Sequence, residues 1–202
     1  MYGKVGRQTL ASGSSGVVRL DGDGNLAVAP YGGKYVDAVL AGRMFTAANQ
    51  AAVALTAAFA TTYTGLVLEN PAGSGKNLIL HEVTYASTVA TPTATALGLM
   101  TGADAGDAAT AITPRNRLKA ASAPSSVAIV DNGCTLVGTP VLEELLTTAW
   151  TEATTAGSLA QPNRVKLDGS LIIAPGYYVA IYSAAANTAA FLFSFLWEEV
   201  DA

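Results

Sequence analysis

The chain has 202 residues, a formal net charge of -4 and a pI near 4.9; half of it is hydrophobic and only 13% is charged. This composition excludes a disordered chain, and the acidic balance argues against nucleic acid or an anionic membrane as main partner. Charged residues are about half as frequent as in ordinary soluble domains, so surface that is normally charged is expected to be covered by further copies or by a large assembly.

The single cysteine, Cys134, rules out an intrachain disulfide. No apolar run is long enough to span a bilayer. The first residues lead into Gly/Ser-rich sequence without the apolar core of a signal peptide, so none is expected. Residues 1–60 read as an N-terminal arm and 61–202 as a β-sandwich domain. The arm carries a hairpin signal, two short alternating pieces at 17–20 and 26–29 around the DGDGN turn. Such a hairpin is marginal alone and calls for a neighbouring surface. Residues 47–60, AANQAAVALTAAFA, favour helix by alanine content, although Val53, Leu55 and Phe59 make no clean stripe.

From residue 61 onward short β-rich runs alternate with turn clusters, which predicts an all-β fold. Strands are expected at 64–68, 77–87, 95–100, 127–130, 135–137, 165–167, 171–173, 177–182 and 190–200, while 142–151 suits a strand or a short helix. A polar insertion at 101–126 contains PRNRLK and is long enough to be contact-making. In the last strand Phe191, Phe193, Phe195 and Trp197 fall on one face and Leu192, Ser194, Leu196 and Val200 on the other. The aromatic face is a natural sandwich interior. The largely apolar opposite face suits either a second layer of the same chain or a second subunit.

Catalytic chemistry has few candidates. The stretch 69-ENPAGSGKN-77 resembles a phosphate loop, but Asn70 stands where the first glycine is needed and Asn77 where Ser or Thr is needed. It also runs into β-formers rather than into a helix whose N-terminus could face phosphates, so a turn between strands is expected. The DGDGNL stretch places Asp21, Asp23 and Asn25 like the start of a calcium loop, but Leu26 and Gly32 occupy its two diagnostic positions. His81 is the only histidine, which excludes zinc sites built on several. Cys134 beside Asn132-Gly133 reads as a small packed residue. Glu143-Glu144 and Glu198-Glu199 point to opposite faces of their strands and read as solvated charges at strand ends. Arg115, Arg117 and Lys119 form the one basic cluster, and alternation aims them to one side; this suits a solvated loop or, slightly better in a chain so poor in charge, contact with an acidic neighbour. No catalytic, cofactor-binding or metal site is expected.

Five pieces in this order, 42-GRMF-45, 65-GLVLENPAGSGKNLIL-80, 113-TPRNR-117, 168-DGSLIIAPGYYVAIY-182 and 196-LWEEV-200, resemble a family of tailed-bacteriophage structural proteins. The resemblance implies a jelly-roll-like antiparallel β-sandwich with an extended N-terminal arm. It also implies a non-enzymatic role in the virion: a capsid decoration or cement protein, made in the host cytoplasm, that assembles as a homotrimer. Such a protein binds the outer surface of the head and bridges major capsid protein capsomers. Candidate subunit or capsid contacts are Arg115, Arg117, Lys119, Lys76, Leu192 and Leu196. The alternative is a tail or head-fibre module binding host-surface carbohydrate or receptor, which would need an exposed aromatic platform, for example from Tyr177, Tyr178 and Tyr182, or a metal-dependent loop.

Overall fold

The computed structural model describes residues 33–57, 59–88, 95–103, 111–136, 139–147 and 163–202. The chain divides into two compact units, Met1–Asp37 and Ala38–Ala202. The 17–20/26–29 hairpin and its Asp/Gly turn lie outside the described residues. A short helix, α1 (Val36–Leu40), precedes β1 (Met44–Ala48), β2 (Val53–Leu55), β3 (Thr62–Asn70), β4 (Lys76–Ser87), β5 (Leu97–Ala103) and β6 (Arg115–Asn116). There follow β7 (Ile129–Thr135), β8 (Val141–Thr147), β9 (Asn163–Ile173), β10 (Tyr177–Ser183) and β11 (Asn187–Asp201).

These strands form two antiparallel sheets, β6-β1-β11-β4-β9 with β2 also on β11, and β7-β3-β10-β5-β8. Without β2, β6 and β7, eight strands remain. Numbered afresh in chain order, they lie as 1-8-3-6 in one sheet and 2-7-4-5 in the other. This is jelly-roll topology, so the chain is an all-β sandwich.

Alternation builds the core. Phe191, Phe193, Phe195 and Trp197 of β11 are all buried, and Leu66 and Leu68 of β3, Leu78 and Leu80 of β4, and Leu97 and Leu99 of β5 meet them between the sheets. Burial contributes about 1.5–3 kcal/mol for each such side chain. Phe45 stacks on Trp197 with centroids 6.1 Å apart, and Phe191 on Phe193 at 5.8 Å. The opposite β11 face, Leu192, Ser194, Leu196 and Val200, is half-buried.

A second buried cluster lies on the outer face of the five-stranded sheet, where Val67, Met100 and Ala180 alternate with the core residues. Tyrosines lie flat there over residues that lack side chains: Tyr178 pairs across strands with Gly102, and Tyr182 with Gly98. A Cβ on Gly102 would meet the Tyr178 hydroxyl at 2.5 Å, so the glycine is what admits the ring.

Several expectations need correction. The 47–60 segment is not helical where described: β1 and β2 both pair with β11. Ala47 sits opposite Phe195, and small-against-large packing suits alanine to that position in a strand. Asn49 bridges the gap between these two strands. Its Oδ1 accepts from Phe193 N at 2.5 Å and its Nδ2 donates to Phe191 O at 3.1 Å, so the side chain continues the ladder where the backbone leaves it. The sandwich therefore begins upstream of residue 61. The strands expected at 127–130 and 135–137 merge into β7, because Asn132-Gly133 continues the strand instead of turning it. The β3–β7 ladder shifts register there, between Thr64 and Val67. Those expected at 165–167 and 171–173 likewise merge into β9, with Asp168 (φ 52°) and Gly169 (φ 87°) forming a bulge between them. The 142–151 segment is strand over its described part.

Candidate functional site

The glycine-rich turn is the β3–β4 hairpin. Asn70 is fully buried at the end of β3. Its Nδ2 donates to the carbonyls of Lys76 (2.7 Å) and Ile173 (2.8 Å), and its Oδ1 accepts from Ser74 Oγ (2.6 Å). Gly73 and Gly75 take positive φ values of 79° and 68°, which the turn requires and which glycine alone adopts without strain. Lys76 pairs with Asp201 at 2.5 Å and holds that carboxyl below its usual range. The residue that spoils the phosphate motif is thus the one that ties the hairpin to β9.

The paired glutamates at the end of β11 are not both solvated charges. Glu198 receives Arg43 Nε at 2.9 Å and lies 3.6 Å from His81 Nε2. Glu199 is buried and accepts from Ser126 Oγ, from Val127 N at 3.3 Å and from Trp197 Nε1 at 3.2 Å. It fastens the segment before β7 to the edge of the core. His81 is the extra residue of a bulge, where the register passes from Leu196↔Glu82 to Trp197↔Leu80. Glu143, by contrast, is exposed on β8 and accepts from Thr101 Oγ1 at 2.7 Å. Among the described residues no group of three or more His, Cys, Asp or Glu side chains is placed to hold a metal ion.

On β7, burial pushes the Asp131 carboxyl up to about 6. Burial, with Asp131 and Glu69 nearby, pushes the Cys134 thiol up to about 12. A thiol so disfavoured as thiolate is a packing residue and a poor nucleophile.

The predicted contact residues do not converge. Arg115, Arg117 and Lys119 are exposed on β6 and its continuation, alternating with half-buried neighbours as expected. Asn116 anchors that segment by donating to the carbonyls of Gly42 (2.7 Å) and Pro124 (3.0 Å). Leu192 and Leu196 lie half-buried in the middle of β11, and Lys76 sits at the β3–β4 hairpin.

Sequence reasoning missed the opposite flank. Among the described residues the edges of the two sheets there are β8 and β9, with a groove of about 310 Å³ between them lined by Thr101, Glu143, Ile172, Ala174, Tyr177 and Tyr178 among others. Val141 (61% exposed), Leu142 and Leu145 (59%) project from β8, and Ile172 and Tyr177 from the groove's rim. They account for five of the eight exposed large hydrophobics among the described residues, so apolar exposure is concentrated on this flank. The signal available in sequence was the apolar run around Glu143-Glu144, which suits helix and strand equally. The three tyrosines form no common platform: Tyr177 is exposed, Tyr182 half-buried and Tyr178 fully buried.

The fold therefore defines the protein's class, a jelly-roll β-sandwich. Comparison of the chain with protein-family models, with curated proteins and with solved structures finds no match.

Proposed function

We propose that this chain is a structural protein of a bacteriophage virion, a decoration or cement protein that binds the outside of the head and stabilises the shell by assembling there. The observation that carries this reading is the β8 flank, an edge strand apolar on both faces beside an apolar-rimmed groove. β8 carries two carboxylates, Glu143 and Glu144, and its ladder with β5 shifts register twice, yet Val141, Leu142 and Leu145 stay exposed on it, and a concentration of exposed apolar side chains marks an interaction surface. The sparse charge of the whole chain and the five quoted motifs support the same reading. The exposed basic cluster Arg115, Arg117 and Lys119 lies at the β6 edge, away from that flank, and suits an acidic capsid surface.

The test is add-back of the purified chain to phage heads that lack it. Saturable binding, and heads that withstand higher temperature, are expected. Arg115→Ala/Arg117→Ala/Lys119→Ala is expected to weaken binding most at low salt, because exposed charge is screened at high salt. Absence of binding to such heads refutes the reading.

A further inference from the structure

Strict alternation would turn Glu143 and Glu144 to opposite faces of β8, but the ladder with β5 does not allow it. Its register passes from Leu99↔Glu144 to Met100↔Leu142, which leaves Glu143 as the extra residue of a bulge. Directly paired residues share a face, so Glu144 lies on the side of Leu99, a core residue. Thr101 shares that side, and Glu143 joins it by accepting from Thr101 Oγ1. Tyr177 pairs with Ala103, two residues beyond Thr101, and stands there too. Leu142 and Leu145 pair with Met100 and Gly98 and project from the other side. The groove thus has unlike walls: a carboxylate and a tyrosine ring from one sheet, and Ile172 and Ala174 at the end of β9 from the other. Among the described residues neither glutamate pairs with a cation, whereas Glu82, Glu198 and Asp201 pair with Arg164, Arg43 and Lys76.

From these walls we infer that the groove receives an arginine side chain presented by an apolar patch on a different protein. A guanidinium on an aliphatic stem fits both walls at once. The stem lies along Ile172 and Ala174, and the charge meets Glu143 and Glu144, where a planar guanidinium bonds carboxylates in pairs and stacks on Tyr177. Lysine would bring only a point charge. A free small cation would leave Leu142 and Leu145 uncovered, so the arginine belongs to a surface that seats on them. A second copy of the chain does not supply it. Among the described arginines, Arg43 and Arg164 are already paired, and Arg115 and Arg117 lie in a segment, 113–119, with no exposed large apolar side chain. Two copies joined flank to flank set carboxylates against carboxylates. The inference names the partner chemistry of the flank read above as an interaction surface; it rests on that reading but not on the virion as its setting.

The experiment titrates the isotope-labelled full chain with the capped peptide acetyl-Leu-Arg-Leu-amide and follows its amide resonances. Saturable shifts are expected at 141–145 and 171–178. The neutral isostere with citrulline in place of arginine is expected to bind about tenfold more weakly, the loss of a charge-assisted contact. Glu143→Gln/Glu144→Gln is expected to weaken the arginine peptide as much and to leave the citrulline peptide unchanged. Both positions are exposed, so thermal unfolding of this variant is expected to match wild type. Leu145→Ser, on the apolar side, is expected to weaken both peptides alike. Equal binding of the two peptides, a glutamine variant that binds arginine peptide like wild type, shifts confined to other surfaces, or no saturable shift into the millimolar range overturns the inference. So does a wild-type chain whose mass by light scattering falls in Leu145→Ser, because a second copy then holds the flank. Heads that bind Glu143→Gln/Glu144→Gln like wild type sink the arginine contact alone; arginine-peptide binding at the groove with no binding to heads sinks only the virion reading.

Discussion

Replacing Asn70 by Ala probes the hairpin that most resembles a nucleotide loop. The Asn70 side chain is fully buried and makes three hydrogen bonds, to the carbonyls of Lys76 and Ile173 and from Ser74 Oγ. Each is worth about 1 kcal/mol net, and a buried carbonyl left without its donor adds a desolvation penalty. Ser74 Oγ lies 3.3 Å from the Lys76 carbonyl and can take over there, so the penalty falls mainly on Ile173. The sum is about 3 kcal/mol, which for a domain of this size lowers Tm by about 6–12 °C. Thermal unfolding followed by circular dichroism measures it. Lys76→Ala is the control: it severs only the exposed pair with Asp201 and is expected to leave Tm nearly unchanged. A phosphate loop would give the reverse pattern, with Lys76 needed for binding and Asn70 dispensable. An Asn70→Ala protein as stable as wild type, or ATP raising the Tm of wild type but not of Lys76→Ala, would refute the reasoning.

Two further outcomes follow from β7. The folded Asp131 carboxyl titrates near 6, above its ordinary 3.8, so between those values the folded chain holds a proton that the unfolded chain has lost. Its stabilising contribution is complete below about pH 4 and is lost as pH rises through about 6. Asp131→Asn is expected to flatten that slope in denaturant titrations and to raise stability at neutral pH; an unchanged slope would place the proton elsewhere. Cys134, buried and with its thiol pushed up to about 12, is expected to resist a thiol reagent at pH 8 until the protein is unfolded, and rapid native labelling would contradict that packing.

The β-rich text after residue 61 and the aromatic stripe of β11 were legible because strand side chains alternate with period two, and burial on one face leaves that period in the sequence. The hairpin at 69–77 was legible for the same kind of local reason: Pro71, Gly73 and Gly75 mark a turn wherever they stand. Local signals failed where a distant partner decides. Alanine-rich 47–55 favours helix until β11 offers it a ladder and Phe195 offers Ala47 a place beneath it. Asn132-Gly133 reads as a turn until β3 pairs across it. Glu199 reads as a surface charge until Ser126, Val127 and Trp197 surround it.

The proposed contact residues divide in the same way. Arg115, Arg117 and Lys119 could be found in sequence, because charge clustering and alternation are local properties. Val141, Leu142 and Leu145 could not, because an apolar strand is core at the centre of a sheet and exposed at its edge, and strand order is set by pairing across the whole chain. Composition and periodicity alone determined that this chain makes an all-β protein with too little charge for an ordinary free surface. Only the tertiary structure decided which strand is left at the edge, since that is a relation between residues far apart in the chain.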